Sequence, residues 1–99
     1  MIISTMQDDF PLTITGMLDH GVRVFGHSEC VTWTGDGARR ATYTEVSHNA
    51  HLLADALTTL GVGRGDRVAT LCWNSQEHLE TYFAVPGMGA VLHLSLIHI

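Results

Sequence analysis

The seven histidines are the first residues that could do chemistry in this chain, because a neutral imidazole is a common metal ligand. His48 and His51 stand three residues apart in a stretch with helical periodicity, so they would share one helix face. Both fall outside the apolar stripe of that helix, and no cysteine or carboxylate stands at a spacing that would supply a third ligand. We therefore expect a solvated helix face and no metal site.

A glycine-rich stretch, Gly61–Gly65, could cradle a phosphate if its backbone amides faced an anion at the start of a helix. A phosphate-binding loop of this kind follows a strand and opens a helix. Here the glycines follow a predicted helix and precede a predicted strand. The stretch is therefore predicted to be a helix end followed by a turn.

Carboxylates and hydroxyls offer no better catalytic candidates. Asp8 and Asp9 belong to a polar leader, while Glu77 and Glu80 are predicted on the exposed side of a helix, where burial would not tune them for acid–base work. No serine stands in a Gly-x-Ser-x-Gly elbow. The residues themselves thus predict no catalytic, cofactor-binding or metal-binding position.

Composition narrows the class of protein. A net charge of −5 argues against binding to the phosphate backbone of a nucleic acid. Hydrophobic residues make up 45% of the chain and charged residues 15%, which is too apolar a composition for a disordered protein. The sequence has no run of about 18 apolar residues, so no segment is predicted to span a membrane. Cys30 and Cys72 are too few for a disulfide scaffold, so we expect core thiols in a reducing, cytoplasmic compartment.

Apolar residues that recur every three or four positions predict the helices that would position these groups. The first helix covers residues 12–25 with Thr13 as its N-cap. The second covers residues 45–60 with Thr44 as its N-cap, and it ends in a Schellman motif at a glycine.

The third helix is predicted to open at Asn74 and to turn Leu79, Tyr82 and Phe83 toward the interior. Pro86 removes one helical hydrogen bond near its end, and the glycines that follow stop it.

Between the first two helices, the β-rich runs 29–34 and 39–43 flank a Gly-Asp-Gly turn, which predicts a hairpin. Trp33 and Tyr43 are expected to pack on one face of it. The pair Arg39–Arg40 is predicted to be a solvated strand edge.

Residues 67–73 and 90–93 are apolar runs typical of strands covered on both faces. With the intervening helix they predict a parallel sheet, because a strand–helix–strand crossover joins parallel strands. The expected fold class is α/β: an N-terminal helix, a hairpin, then helix–strand–helix–strand. Two such strands lack the neighbours that a parallel sheet needs, so the domain is expected to be truncated.

The runs 6–13, 42–46, 61–69, 73–80 and 82–93, with the predicted helix 50–60, form an ordered set of motifs. This set resembles the N-terminal part of the AMP-forming, adenylate-forming acyl-CoA synthetases, of the medium- and long-chain fatty acid–CoA ligase type. The resemblance covers residues 6–93.

The resemblance implies that residues 1–93 are the N-terminal part of an AMP-binding synthetase domain. Such enzymes join a fatty acid to CoA through an acyl-adenylate, with ATP and Mg²⁺, and release AMP and pyrophosphate. Their phosphate loop and catalytic lysine have no counterpart here, so no site residue is carried over and the fragment is expected to be inactive alone. The implied partners are the missing C-terminal remainder of the chain and a second copy in a homodimer. Whether the full-length enzyme also contacts a membrane surface is left open.

Residues 94–99 depart from the family pattern, and we expect them to be a non-native tail. Two other functions remain open from the residues alone. One is a small non-catalytic α/β interaction module, and the other is a flavodoxin-like nucleotide binder.

Overall fold

Residues 11–94 are described by the computed structural model, and they form three helices and two two-stranded sheets. The order of elements confirms the predicted helix, hairpin and helix–strand–helix–strand succession. Asp8, Asp9 and residues 95–99, for which expectations were stated above, lie outside the described residues. The elements are α1 (Ile14–Phe25), β1 (Glu29–Trp33), β2 (Ala38–Thr42), α2 (Tyr43–Thr59), β3 (Arg67–Thr70), α3 (Gln76–Gly87) and β4 (Val91–Leu94).

Helix α1 begins as predicted, because the Thr13 hydroxyl accepts a hydrogen bond from the Gly16 amide at 2.9 Å. Helix α2 begins earlier than predicted, and the prediction of Thr44 as its N-cap is wrong. Thr42 caps it instead, in a reciprocal capping box with Glu45. The Thr44 hydroxyl donates to the Gly26 carbonyl at 3.1 Å and so ties α2 to the end of α1.

The prediction of Asn74 as the N-cap of α3 is also wrong by one residue. Ser75 caps this helix, and its hydroxyl accepts from the His78 amide at 3.3 Å. Pro86 lies inside the helix, which continues to Gly87 because one missing hydrogen bond near a helix end does not stop it.

Both α2 and α3 end in Schellman motifs. The Val62 amide donates to the Leu57 carbonyl across Gly61, which has φ +98°. The corresponding bond of α3 runs from the Ala90 amide to the Val85 carbonyl, across a glycine of φ +83° at position 89. The predicted glycine ending of α2 is confirmed.

Strands β1 and β2 pair antiparallel, and β3 and β4 pair parallel with α3 as the crossover, as predicted. Strand β3 is shorter than expected and ends at Thr70. The expectation that these strands are covered on both faces is wrong for the described residues. Within residues 11–94, α3 lies against one face only, and the other face is exposed at Arg67, Ala69, Val91 and His93.

The core lies where the three helices meet, at Leu18, Ala50 and Ala84. The predicted pairing of Trp33 with Tyr43 is wrong. Tyr43 is the first residue of α2 and lines an apolar cavity between the helices, whereas Trp33 is 73% exposed on the hairpin. Within residues 11–94, no helix combines the length and apolarity needed to cross a membrane.

Candidate functional site

Several chemically capable side chains lie near the carboxyl end of β3, where the chain turns into α3. Ligands of α/β sheets commonly bind outside the carboxyl ends of the strands. A cleft of about 310 Å³ opens there between strand β1 and helix α3. Its walls include Thr32, Trp33, Ser75, His78 and Tyr82. This cleft is the candidate site.

His78 is the most buried polar residue of the cleft, with 4% of its surface exposed. Its Nε2 lies 3.0 Å from the Thr70 hydroxyl on β3, and its ring lies against the Tyr82 ring with centroids 4.6 Å apart. No group within residues 11–94 hydrogen-bonds to its Nδ1. An unpaired buried nitrogen is uncommon, and this one is sealed from the cleft by the surrounding residues.

Polar contacts with the hairpin hold the first turn of α3 in place. The Thr32 hydroxyl on β1 accepts from the Gln76 amide at 3.1 Å, which satisfies one of the unpaired amides at the helix start. Cys72 lies beside the Ser75 hydroxyl at 3.8 Å. Cys30 and Cys72 are both free thiols and both half-buried, so the expectation of core thiols is wrong.

Arg39 and Glu77 form a bidentate ion pair between the hairpin and α3, with both N···O distances at 2.6 Å. The hydrogen bonds from Arg39 are the largest cause that lowers the pKa of Glu77, to about 2. The hydrogen bond to Glu77 likewise raises the pKa of Arg39. Arg39 is exposed, as predicted, and it also makes a docking contact between the hairpin and α3.

Glu80 contradicts the prediction of an exposed carboxylate, because only 7% of its surface is exposed. Its Oε2 accepts from Asn49 Nδ2 and from Gln76 Nε2, both at 2.9 Å. The bond from Asn49 ties α2 to α3, and the bond from Gln76 lies within α3 and holds the carboxylate in place, which gives Glu80 a positioning role in the fold.

The two histidines of α2 and the glycine-rich stretch after it lie in the predicted places. His48 and His51 lie on an exposed face of α2. Gly61 ends that helix, and the Asp66 amide and carboxylate close a turn back onto Gly63. Among residues 11–94, no three histidine, cysteine or acidic side chains gather as a metal site would require.

A triphosphate and a divalent cation do not fit the cleft, because no Asp, Glu, Lys or Arg side chain lines it. The cleft offers hydroxyl, amide and imidazole groups between aromatic walls. Such a lining suits an uncharged group that can form a hydrogen bond. Sequence reasoning missed His78, since its burial depends on Thr70 and on the hairpin, which no local pattern reveals.

A model of the family described as "AMP-binding enzyme" matches residues 18–95. A long-chain-fatty-acid–CoA ligase of Thermus thermophilus is 50% identical over 91 residues, which are 91% of this chain and 17% of that protein. A medium-chain-fatty-acid–CoA ligase of Ectopseudomonas oleovorans is 40% identical over 83 residues, 83% of this chain and 15% of that protein.

Solved structures agree with this assignment. The N-terminal domain of FACL13 from Mycobacterium tuberculosis matches with a TM-score of 0.80 and 29% identity, over 90% of this chain and 22% of that one. A fatty acyl CoA synthetase from the same organism matches with a TM-score of 0.71 and 29% identity, over 88% and 17%.

The fold is therefore that of part of an adenylate-forming ligase N-terminal domain. The chain belongs to the AMP-binding enzyme family, and the match is to the N-terminal part of an acyl-CoA synthetase. It spans about one sixth of the length of these curated relatives.

Proposed function

We propose that residues 1–93 are the N-terminal part of the AMP-binding domain of a fatty acid–CoA ligase. The full enzyme would convert a fatty acid, ATP and CoA to acyl-CoA, AMP and pyrophosphate. The observation that carries the proposal is the 50% identity to the Thermus ligase along nearly the whole chain. The Thermus and Ectopseudomonas relatives are both named fatty-acid–CoA ligases, one for long-chain and one for medium-chain fatty acids.

In this proposal, residues 11–94 supply scaffold and not chemistry. The helical core fixes α3, and α3 sets the position of the parallel strands and of the hairpin. The groups that bind ATP and Mg²⁺ belong to the rest of the enzyme, because the described cleft carries no charged side chain for phosphate. We therefore expect the 99-residue chain to be inactive by itself.

Two finer expectations follow from the resemblance. The complete enzyme is proposed to be a cytoplasmic homodimer, with peripheral contact to membranes from which it would take an amphiphilic substrate. Residues 94–99 are proposed to be a non-native tail. Reading the source DNA across codon 94 tests this point, and a stop codon in the native frame would contradict it.

A chimera tests the proposed function directly. Residues 1–93 replace the matching stretch of the Thermus ligase, and the release of AMP that depends on both fatty acid and CoA is measured. We expect activity within about tenfold of the parent ligase, since the grafted part positions and does not react. The 99-residue chain alone should release none. A well-folded chimera without activity would contradict the proposal.

The alternative of a free-standing interaction module makes a different prediction. Such a module would unfold cooperatively as the 99-residue chain, and joining it to the ligase remainder would add no stability. Equal melting curves for the grafted and free segments would favour this alternative.

A further inference from the structure

We propose that Asp36, at the tip of the hairpin, is a site of spontaneous backbone modification. Its side-chain carboxyl condenses with the amide of Gly37, and the aspartate becomes an isoaspartate. The site is built by the hairpin alone, so it does not depend on the reaction that the complete enzyme catalyses. The fold leaves this aspartate open to the reaction and restrains the other aspartates of residues 11–94.

The loop that joins β1 to β2 supplies the geometry. It consists of residues 34–37 and is closed by a hydrogen bond of 3.0 Å from the Thr34 amide to the Gly37 carbonyl. Asp36 is exposed, and no group within residues 11–94 accepts a hydrogen bond from the Gly37 amide. Both reacting groups therefore lie outside the strand pairing.

The residues on either side of Asp36 favour the reaction. Glycine has no Cβ, so the Gly37 nitrogen can approach the Asp36 carboxyl carbon without a steric clash. The Thr34 hydroxyl donates a hydrogen bond to Asp36 Oδ1 at 3.2 Å. A donor at this oxygen stabilises the negative charge that develops on it when the nitrogen attacks.

The reaction needs no partner other than water. The Gly37 nitrogen forms a bond to Cγ of Asp36, and one carboxyl oxygen leaves as water with the carboxyl proton and the amide proton, so that a cyclic imide remains. Water then cleaves the bond between this nitrogen and the main-chain carbonyl carbon of Asp36. The backbone now runs through Cγ and is one atom longer, which lengthens the loop. The water lost is regained, so the mass is unchanged and nothing is oxidised or reduced.

The other aspartates of residues 11–94 are held in less reactive settings. Asp19 and Asp55 lie inside α1 and α2, where the amide of the next residue belongs to the helical hydrogen-bond ladder. Asp66 accepts from the Gly63 amide at 2.7 Å, and the residue after it is paired in β3. None of these three is followed by glycine. Within the described part of the chain, the reaction is therefore expected at Asp36.

Peptide mapping of the folded chimera tests the site. The chimera is kept near neutral pH, and isoaspartate is located by electron-transfer fragmentation and by methylation with an isoaspartate methyltransferase and S-adenosylmethionine. We expect isoaspartate to form at position 36 at a rate within about fivefold of the rate in denaturant, because loop tips are the least protected parts of a fold. A slower rate in the folded chimera, or earlier reaction at Asp19, Asp55 or Asp66, would overturn the proposal.

Two variants test the chemistry in the same chimera. In Gly37→Ala the added Cβ would lie 3.8 Å from Thr34 Oγ1, an ordinary contact, so the loop should keep its shape. The methyl group hinders the approach of the nitrogen, and isoaspartate should form at least about fivefold more slowly. Asp36→Glu keeps the charge but requires a larger ring, so the modification at this position should disappear. An unchanged rate in Gly37→Ala would refute the attack by the Gly37 amide.

Discussion

The two sheets of this protein differ in how far they complete their own contacts. The hairpin β1–β2 docks on α3 through the Arg39–Glu77 ion pair and through the bond from Gln76 to Thr32. The parallel pair β3–β4 is covered by α3 on one face only, as far as residues 11–94 show.

The difference follows from how each sheet is connected. An antiparallel hairpin closes with a short turn and can keep one face in water. Parallel strands need a crossover helix and occur in sheets with both faces covered. The comparison therefore indicates that the hairpin completes its strand pairing and its contact with α3 within this stretch, while the parallel pair leaves one face to be covered.

The largest expected effect comes from α3, because both sheets depend on it. Val85 has no exposed surface, so Val85→Asp would bury an unpaired charge and should destabilise the chimera by more than about 3 kcal/mol. Denaturant unfolding followed by circular dichroism measures this loss. Leu60→Gln, at the exposed C-cap residue that follows α2, should change the free energy of unfolding by less than about 0.5 kcal/mol. Similar losses for both variants would contradict the core described above.

A charge on the uncovered face of the parallel pair separates the two sheets most sharply. Val91 is 53% exposed here, so Val91→Asp should cost little in the 99-residue chain. In the chimera it should cost about 2 kcal/mol, because the face would be covered. Val24→Asp on α1, which is equally exposed, is the control and should be tolerated in both. Equal tolerance of Val91→Asp in chain and chimera would remove the claimed difference between the sheets.

A smaller effect is expected from stabilising the helices that support both sheets. Gly21 lies inside α1, and an added Cβ would lie 3.8 Å from Tyr43 Cδ2, an ordinary contact. Gly21→Ala should therefore raise the free energy of unfolding by about 0.5–1 kcal/mol. Gly26→Ala should lower it, since a Cβ there would lie 2.6 Å from the Val22 carbonyl oxygen. Thermal melts of the two variants should move in opposite directions, and a common direction would contradict this packing.

The smallest effect concerns the hairpin contact. The pKa of Glu77 is lowered to about 2, so its ion pair with Arg39 stabilises the fold above the unfolded value near 4.5 and is lost as the pH falls from there toward 2. The pair is solvent-exposed, so Glu77→Gln should lower the melting temperature at pH 7 by less than about 5 °C. At pH 2, close to that pKa, most of the difference between the variant and the parent should be gone. A difference as large at pH 2 as at pH 7 would show that Glu77 acts otherwise.

Local sequence patterns predicted the order of helices and strands, but they misplaced the first residues of α2 and α3. Thr42, not Thr44, stands three residues before Glu45, so the capping-box spacing was present in the sequence and would have placed the start of α2. At α3, Asn74 with Glu77 matched the same spacing, but Arg39 of the hairpin engages Glu77 and Ser75 takes the cap. Tertiary contacts decided between two adjacent candidates.

The candidate site was less predictable than the fold. Glu80 and His78 are buried by partners on other elements, and a helical pattern places both among polar positions. Trp33 would be expected inside by its residue type, yet it is exposed within the described stretch. Each of these depends on which surfaces meet, and periodicity along one element does not carry that information.

Amide hydrogen exchange tests the central claim most directly, by comparing residues 11–94 in the 99-residue chain and in the chimera. The account predicts at least about tenfold slower exchange for the β3 and β4 amides in the chimera, with the hairpin amides changing less. Equal protection of β3 and β4 in both would mean that the parallel pair gains nothing from the remainder of the ligase, and would contradict the account.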